Sequence, residues 1–151
     1  MEITITEKQE TEKQETENDK ATICLNMIVK NESHIIRGTL EMLCNKIQFD
    51  YWVICDTGST DGTQDIITKF FREKGIDGEL FSDVWTDFAH NRTLALNRAF
   101  GKTDLLLVFD ADDEIHGNLC LPAKKNGYKL RRISSQIRQP IGHQLHPCLT
   151  N

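Results

Sequence analysis

The chain has 151 residues, of which 38% are hydrophobic, and a formal net charge of −5 at pH 7; this length is enough for one domain with a hydrophobic core. Residues 21–120 hold nine bases and sixteen acids, which argues against nucleic acid as a partner because phosphate backbones attract basic surfaces. With no apolar stretch of membrane-spanning length, no secretory signal and five cysteines that lack C-x-x-C spacing, the sequence predicts a cytoplasmic protein without a membrane span.

The two ends of the chain differ in composition from its centre. Residues 1–20 repeat the segment Thr-Glu-Lys-Gln-Glu and hold no apolar residue after Ile5, so we expect a disordered low-complexity tail. Residues 121–151 carry six bases and no Asp or Glu. Apart from a candidate strand at 127–130 they show no clear periodicity, which predicts an irregular basic tail.

Strand and helix patterns alternate through residues 21–120, the predicted domain. In chain order they predict a strand at 22–29, a helix at 32–46, a strand at 51–55, a helix ending near Lys74, a strand at 79–82, a helix at 87–100 and a strand at 105–109. The apolar residues of the third helix are Phe88, Leu94, Leu96 and Phe100, and Gly101 ends it. This alternation predicts an α/β fold with a parallel sheet and right-handed crossovers.

A glycine-containing segment, residues 56–62, follows the second predicted strand. Asp56 is suited to accept hydrogen bonds from a base or a ribose, although a purely structural role in an Asx turn is an equal alternative. Asp61 is predicted to cap the next helix, with Gln64 completing a capping box.

Four acidic residues follow the fourth predicted strand, within the five residues Asp110–Glu114. Ligands of open α/β sheets bind at the carboxyl ends of the strands, and carboxylates crowded there repel one another unless a cation is present. Carboxylate oxygens suit Mg²⁺ or Mn²⁺, and phosphate oxygens can fill the remaining coordination positions of such an ion. A solvated loop or a helix cap is the alternative. An EF-hand is excluded because Glu114 and Ile115 stand where that loop needs Asp or Asn and then Gly.

Four segments together resemble the nucleotide-binding half of a family 2 glycosyltransferase with the GT-A fold. They are residues 28–32 (Ile-Val-Lys-Asn-Glu), 56–63 (Asp-Thr-Gly-Ser-Thr-Asp-Gly-Thr), 91–96 (Asn-Arg-Thr-Leu-Ala-Leu) and 110–114 (Asp-Ala-Asp-Asp-Glu). The resemblance covers residues 22–119. It implies a GT-A, Rossmann-like parallel sheet with flanking helices, incomplete at the C-terminus.

The resemblance also implies roles for individual residues. Glu32, Asp56, Arg92 and Asp110 would bind the nucleotide-sugar donor, with a UDP-sugar as the first expectation, and Asp110 and Asp112 would hold Mn²⁺ or Mg²⁺. Asn91 and Thr93 stand where the family pattern has Ala and Asn, which weakens the role of Arg92. The implied reaction is metal-dependent, inverting transfer of the sugar to an acceptor that the sequence does not name.

Three functions stay open at this point. Inverting transfer needs a general base, and residues 121–151 offer only His143 and His146, whose context does not support that role, so we expect a truncated transferase. A non-catalytic remnant that at most binds nucleotide diphosphate is the main alternative. Phosphoryl transfer through Asp110 as a nucleophile is the third. Because truncation leaves a sheet edge uncovered, we also expect self-association or a complementing chain.

Overall fold

A computed structural model describes residues 20–117 and 131–134, which contain five strands and three helices. In chain order these are β1 (Ile23–Val29), α1 (Ile36–Lys46), β2 (Tyr51–Asp56), α2 (Thr63–Lys74), β3 (Gly78–Ser82), α3 (Phe88–Ala99), β4 (Leu105–Val108) and β5 (Arg131–Ser134). The predicted strands and helices within this part lie close to these bounds. Helix α1 begins four residues later than predicted, because residues 32–35 form a turn that precedes it.

The strands form one parallel sheet in the order β3-β2-β1-β4-β5, so the predicted parallel α/β fold is confirmed. The chain builds the sheet outward from β1 in one direction through β3 and then returns to the other side of β1 with β4. The strand order therefore reverses between β1 and β4. In sheets of this kind, the crevice at the carboxyl ends of the two strands at such a reversal is the usual ligand site.

The helices cover both faces of the sheet. The larger apolar cluster lies between one face and helices α1 and α2, and it contains alternate residues of β1, β2 and β4. Cys24, Val53, Leu106 and Val108 pack on the opposite face together with Ala99 of α3. Strands buried on both sides account for the continuous apolar runs in the sequence.

Helix α3 packs on the sheet through its small residues and not through its largest apolar ones. Phe88 and Phe100 are 59% and 71% exposed, whereas Ala95 and Ala99 are fully buried. Small side chains on this face let the helix lie close to β1 and β2, which it contacts. Of the other apolar residues of this helix, Leu94 and Leu96 are partly buried.

Several sequence predictions concern residues outside the described ranges. These are the low-complexity tail over residues 1–19, the candidate strand at 127–130 and most of the basic tail. Strand β5 lies in that tail, where the sequence indicated no element, and pairs in parallel with β4. Within residues 20–117 and 131–134, no helix has the length and apolar character needed to cross a membrane.

Gly78 lies against an aromatic stack, and the structure predicts that this position excludes any side chain. A Cβ there would overlap the indole of Trp52, which stacks on Phe71 with ring centroids 4.4 Å apart and donates a hydrogen bond to the Ile76 carbonyl at 3.0 Å. Replacing Gly78 with alanine should lower the free energy of unfolding by about 1–3 kcal/mol, as overpacking does. Urea denaturation measures this change.

The matched control is the same substitution in helix α1. A Cβ at Gly38 would have no neighbour within 4 Å, so Gly38→Ala should raise the free energy of unfolding by about 0.5–1 kcal/mol through the better helix propensity of alanine. Equal effects of the two substitutions would contradict the packing described around Trp52.

Candidate functional site

The carboxyl ends of β2, β1 and β4 bring most of the predicted site residues to one edge of the sheet. Asp56 is the last residue of β2 and pairs with Val29 of β1. Asp110 follows Phe109, whose backbone N–H donates to the Asn26 carbonyl of β1 at 3.1 Å. Because β1 lies between them, the two carboxylates belong to strands about 10 Å apart.

Asp56 is fully buried, and its two carboxylate oxygens have different surroundings. Oδ2 accepts hydrogen bonds from the backbone N–H of Gly58 at 3.0 Å, from that of Ser59 at 2.9 Å and from Nε2 of Gln64 at 2.7 Å. Oδ1 has no partner. Burial works to raise the pKa of Asp56, but the hydrogen bonds from Ser59, Gln64 and Gly58 outweigh it and hold this pKa below its ordinary value.

The loops after β1 and β2 are joined by four hydrogen bonds. The Asn31 N–H donates to Oγ of Ser59 at 2.8 Å, and the Thr60 N–H donates to Oδ1 of Asn31 at 2.8 Å. The Glu32 N–H donates to the Thr63 hydroxyl at 2.9 Å and the Ser33 N–H to Asp61 at 3.0 Å. Asn31 adopts a left-handed backbone, with φ of 52°, a conformation that asparagine tolerates better than most residues.

The predicted capping box at the start of α2 does not form. The residue at the N-cap position is Gly62, in a left-handed conformation, and Gln64 binds Asp56 instead. Asp61 accepts hydrogen bonds from the Thr63 hydroxyl and N–H and from the Ser33 N–H, which together hold its pKa far below the usual range. Asp61 is structural, as predicted, but it joins the two loops and does not cap the helix.

Side-chain oxygens already occupy backbone N–H groups of the loop after β2. Those of Gly58 and Ser59 donate to Asp56, that of Thr60 to Asn31 and that of Thr63 to Asp61. A loop that cradles phosphate needs such groups free and directed at the ligand. This strand-to-helix turn is therefore suited to a base or a ribose, and the charge of a diphosphate has to be met by other groups.

Arg92 of α3 reaches the end of β4, and its side chain is 7% exposed. Nη2 donates to Oδ1 of Asp110 at 2.9 Å, and the guanidinium lies 5.4 Å from the centre of the Phe88 ring. Nε and Nη1 are buried without a hydrogen-bond partner. The site thus contains a buried positive charge with hydrogen-bonding capacity left over, next to a carboxylate that is half exposed.

Asp110 and Asp112, the two residues predicted to hold a metal, both lie in the turn that follows β4. Asp112 is exposed, and the turn that carries it is closed by the Asp113 N–H donating to the Asp110 carbonyl at 3.1 Å. Thr39 of α1 fixes the same turn by donating to the Ala111 carbonyl at 2.6 Å. Two carboxylates with water and phosphate oxygens in the remaining positions fit the preferences of Mg²⁺ and Mn²⁺. Residues 20–117 contain no cluster of three or more His, Cys, Asp or Glu placed to hold a metal.

Glu32 contributes to this edge through its backbone. Its N–H binds Thr63, and its carbonyl accepts from the N–H groups of Ile35 and Ile36 at 3.0 and 2.8 Å. The side chain is half-buried. The structure therefore places Glu32 in the joined loops, and a contact with a nucleotide-sugar donor stays a prediction.

Sequence reasoning missed two residues of this edge. The sequence pattern predicts Gln64 as half of a capping box, and its contact with Asp56 depends on a loop conformation that the pattern does not show. Asn31 belongs to the segment 28–32, for which the sequence indicated no role at this position. An asparagine directly after a buried strand is a signal for a left-handed turn, and that signal could have identified it.

The lowered pKa of Asp56 predicts a pH-dependent contribution to stability. A carboxyl whose pKa is lower in the folded state stabilises the fold above its unfolded pKa of about 3.9. This contribution is lost as the pH falls through the lower folded value. The difference in free energy of unfolding between wild type and Asp56→Asn should therefore shrink between about pH 5 and pH 2 in urea titrations. A difference that stays constant over that range would contradict the prediction.

Comparison with known proteins adds a family assignment to this geometry. The model of glycosyl transferase family 2 matches residues 24–125. A TPR repeat-containing protein of Synechococcus elongatus is 35% identical over 95 residues, which are 63% of this chain and 21% of that protein. The chain therefore spans about a fifth of that relative.

One solved structure with a similar chain is glucosyl-3-phosphoglycerate synthase from Mycobacterium tuberculosis in complex with Mn²⁺, UDP and glucosyl-3-phosphoglycerate. It is 21% identical, covers 61% of this chain and 34% of its own, and superposes with a TM-score of 0.42.

Proposed function

Because the chain belongs to glycosyl transferase family 2, we propose that it binds a nucleotide-diphosphate sugar and takes part in metal-dependent, inverting transfer of the sugar to an acceptor. A UDP-sugar is the first candidate. Asp56 contacts the base, Asp110 contacts the ribose or the metal, and Asp112 holds the metal.

The observation that carries this proposal is the division of the sheet edge into two chemically different halves. On the β2 side, a buried carboxylate has one oxygen without a partner, while nearby backbone N–H groups are already occupied. On the β4 side lie Asp110, Asp112 and the buried guanidinium of Arg92. A base with an N–H group suits the first half, and a diphosphate with a divalent cation suits the second.

The roles proposed for the residues on the β4 side follow from where negative charge develops during sugar transfer. Transfer from a nucleotide diphosphate builds negative charge on the leaving diphosphate, and a divalent cation, when bound there, would supply Lewis-acid neutralisation of that charge. Asp112 and the free oxygen of Asp110 would hold this cation. Arg92 fixes the other oxygen of Asp110 and adds a second positive charge that needs no metal.

Thermal unfolding with UDP, GDP and their sugars, each with and without Mn²⁺, tests the binding step. A nucleotide at about 100 times its Kd should add about 2.7 kcal/mol of stability, and the effect should require the metal. Absence of any shift in a folded sample would contradict the proposal.

Release of UDP from a UDP-sugar, measured on the same samples, separates the two remaining functions. Metal-dependent release supports a transferase. Binding without release supports the remnant that only binds nucleotide diphosphate, as would be expected if further parts of a longer protein supply the acceptor side.

A further inference from the structure

Lys30 is the only lysine or arginine in the four loops at the carboxyl edge of the sheet, which are residues 30–35, 57–62, 83–87 and 109–117. The same four loops carry eight acidic residues. A ligand with a negatively charged diphosphate therefore meets repulsion at this edge unless positive groups offset it. The charge of this one lysine has no role in the chemistry described so far.

The register of the sheet places Lys30 close to the acidic turn after β4. Lys30 directly follows β1, the strand that lies between β2 and β4. Asn26 of β1 pairs with Val108 of β4. Continuing this register by two residues brings Ile28 beside Asp110, and Lys30 then lies beside the turn that follows. Neighbouring strands are about 4.8 Å apart, a distance that the flexible four-carbon stem of a lysine can bridge.

The alternation of side chains along β1 places Lys30 on the face of the sheet that α3 covers. Val29 belongs to the apolar cluster beneath α1 and α2, whereas the Asn26 amide donates to the Ala95 carbonyl of α3 at 3.1 Å. Because successive side chains of a strand point to opposite faces, Lys30 continues on the face of Asn26. Arg92, which also belongs to α3, reaches the edge from this same face.

The backbone next to Lys30 is held in place, while its ammonium group is not. Asn31 accepts a hydrogen bond from the Thr60 N–H and donates its own N–H to Ser59, both at 2.8 Å, which fixes where the chain leaves β1. The Lys30 side chain is exposed and makes no hydrogen bond or ion pair with another of residues 20–117. Its charge is therefore available to a ligand at this edge.

We propose that Lys30 binds the terminal phosphate of the nucleoside diphosphate and supplies a positive charge there that does not depend on a metal. This inference rests on the proposed function, in which Asp110 and Asp112 meet the diphosphate through a divalent cation. Lysine binds phosphate as a point charge. The terminal phosphate of a free diphosphate has a second ionisation and carries more negative charge than the phosphate joined to the ribose, so it is the stronger partner for Lys30.

The test compares UDP with UMP, which lacks the terminal phosphate, by titration calorimetry with Mn²⁺ present. Lys30→Met keeps most of the aliphatic stem and removes the charge. We expect it to lower the affinity for UDP at least about tenfold, the size of one lost charge-assisted hydrogen bond. The affinity for UMP should stay nearly unchanged. Lys30→Arg, which restores the charge, should regain most of the affinity for UDP.

Lys20→Met is the matched control, because it removes the same charge from the other end of the same strand. Lys20 precedes β1 and is exposed. The seven residues of β1 span about 23 Å, more than twice the Debye length of about 8 Å at physiological salt. This variant should therefore leave the affinity for UDP unchanged.

The outcomes distinguish this inference from the function on which it rests. An unchanged affinity for UDP in Lys30→Met, or an equal loss in Lys20→Met, would overturn the role of Lys30 and leave nucleotide binding in place. Equal losses for UDP and UMP would overturn it too, since the terminal phosphate would then not be the group affected. A wild type that binds neither nucleotide would overturn both. If Lys30→Met does not fold, Lys30→Gln is compared in the same way.

Discussion

Replacing Asp112 with alanine should abolish the stabilisation that UDP and Mn²⁺ together give the wild-type chain. Asp112 is the exposed carboxylate of the β4 turn, whereas one oxygen of Asp110 is already bound to Arg92. Loss of Asp112 leaves a single carboxylate oxygen for the cation, so UDP affinity measured with Mn²⁺ should fall by about 100-fold or more. Calorimetric titration of UDP, with and without Mn²⁺, measures the change.

Glu114→Gln is the matched control for this variant. Glu114 belongs to the same acidic run, but its side chain is 75% exposed and lies 3.5 Å from His116. Removing its charge should change the Mn²⁺-dependent affinity for UDP by less than about threefold, the scale of exposed charge pairs. If Glu114→Gln weakened binding as much as Asp112→Ala, the cation would depend on the whole acidic run and not on Asp112.

Replacing Arg92 with methionine should lower the affinity for UDP without lowering the free energy of unfolding. The guanidinium is buried with Nε and Nη1 unpaired, and unpaired buried donors each oppose folding by about 1–3 kcal/mol. Methionine has a similar shape and no such donors, so the free energy of unfolding should stay the same or rise by about 1 kcal/mol. The affinity for UDP should nevertheless fall at least about tenfold, because the site loses its own positive charge. Urea denaturation and calorimetry give the two values.

Arg98→Met, on the same helix, should have the opposite effect on stability. Arg98 pairs with Asp83 at 2.5 Å, and the Asp83 side chain is 6% exposed. Removing this arginine leaves a buried carboxylate without its counter-ion, which destabilises folded proteins by about 3–5 kcal/mol. If Arg92→Met were the more destabilising of the two, the unpaired donors of Arg92 would have to be satisfied in solution.

The parallel sheet and its helices were predictable because their signals are local. Apolar runs such as that of β4 and the stop at Gly75 are readable in the sequence, and the alternation of elements then fixes the sheet type. The buried face of α3 was not predictable in this way. Its contact residues, Ala95 and Ala99, are small, and the large apolar side chains at Phe88 and Phe100 outweigh them in any pattern of hydrophobicity.

In the candidate site, too, the positions of residues were predictable and their side-chain partners were not. The rule that ligands bind at the carboxyl ends of strands made the placement of Asp56, Asp110 and Asp112 at this edge predictable, while their roles in binding stay predictions. Which partners these side chains choose depends on three-dimensional proximity. Arg92 lies on α3 and pairs with Asp110, which follows β4. Gln64 binds Asp56 and does not complete a capping box, because the loop after β2 brings these two side chains together.

The order of strands also bears on how the edge is assembled during folding. Asn26 pairs with Val53 of β2, 27 residues along the chain, but also with Val108 of β4, 82 residues along it. Closure of the longer segment is entropically more demanding and slower, so the half with Asp56 can form in a local β1-α1-β2 unit before the half with Asp112 exists. A ligand that spans both halves would then hold the most distant pairing of the sheet closed. Its presence should slow amide hydrogen exchange most strongly in β4.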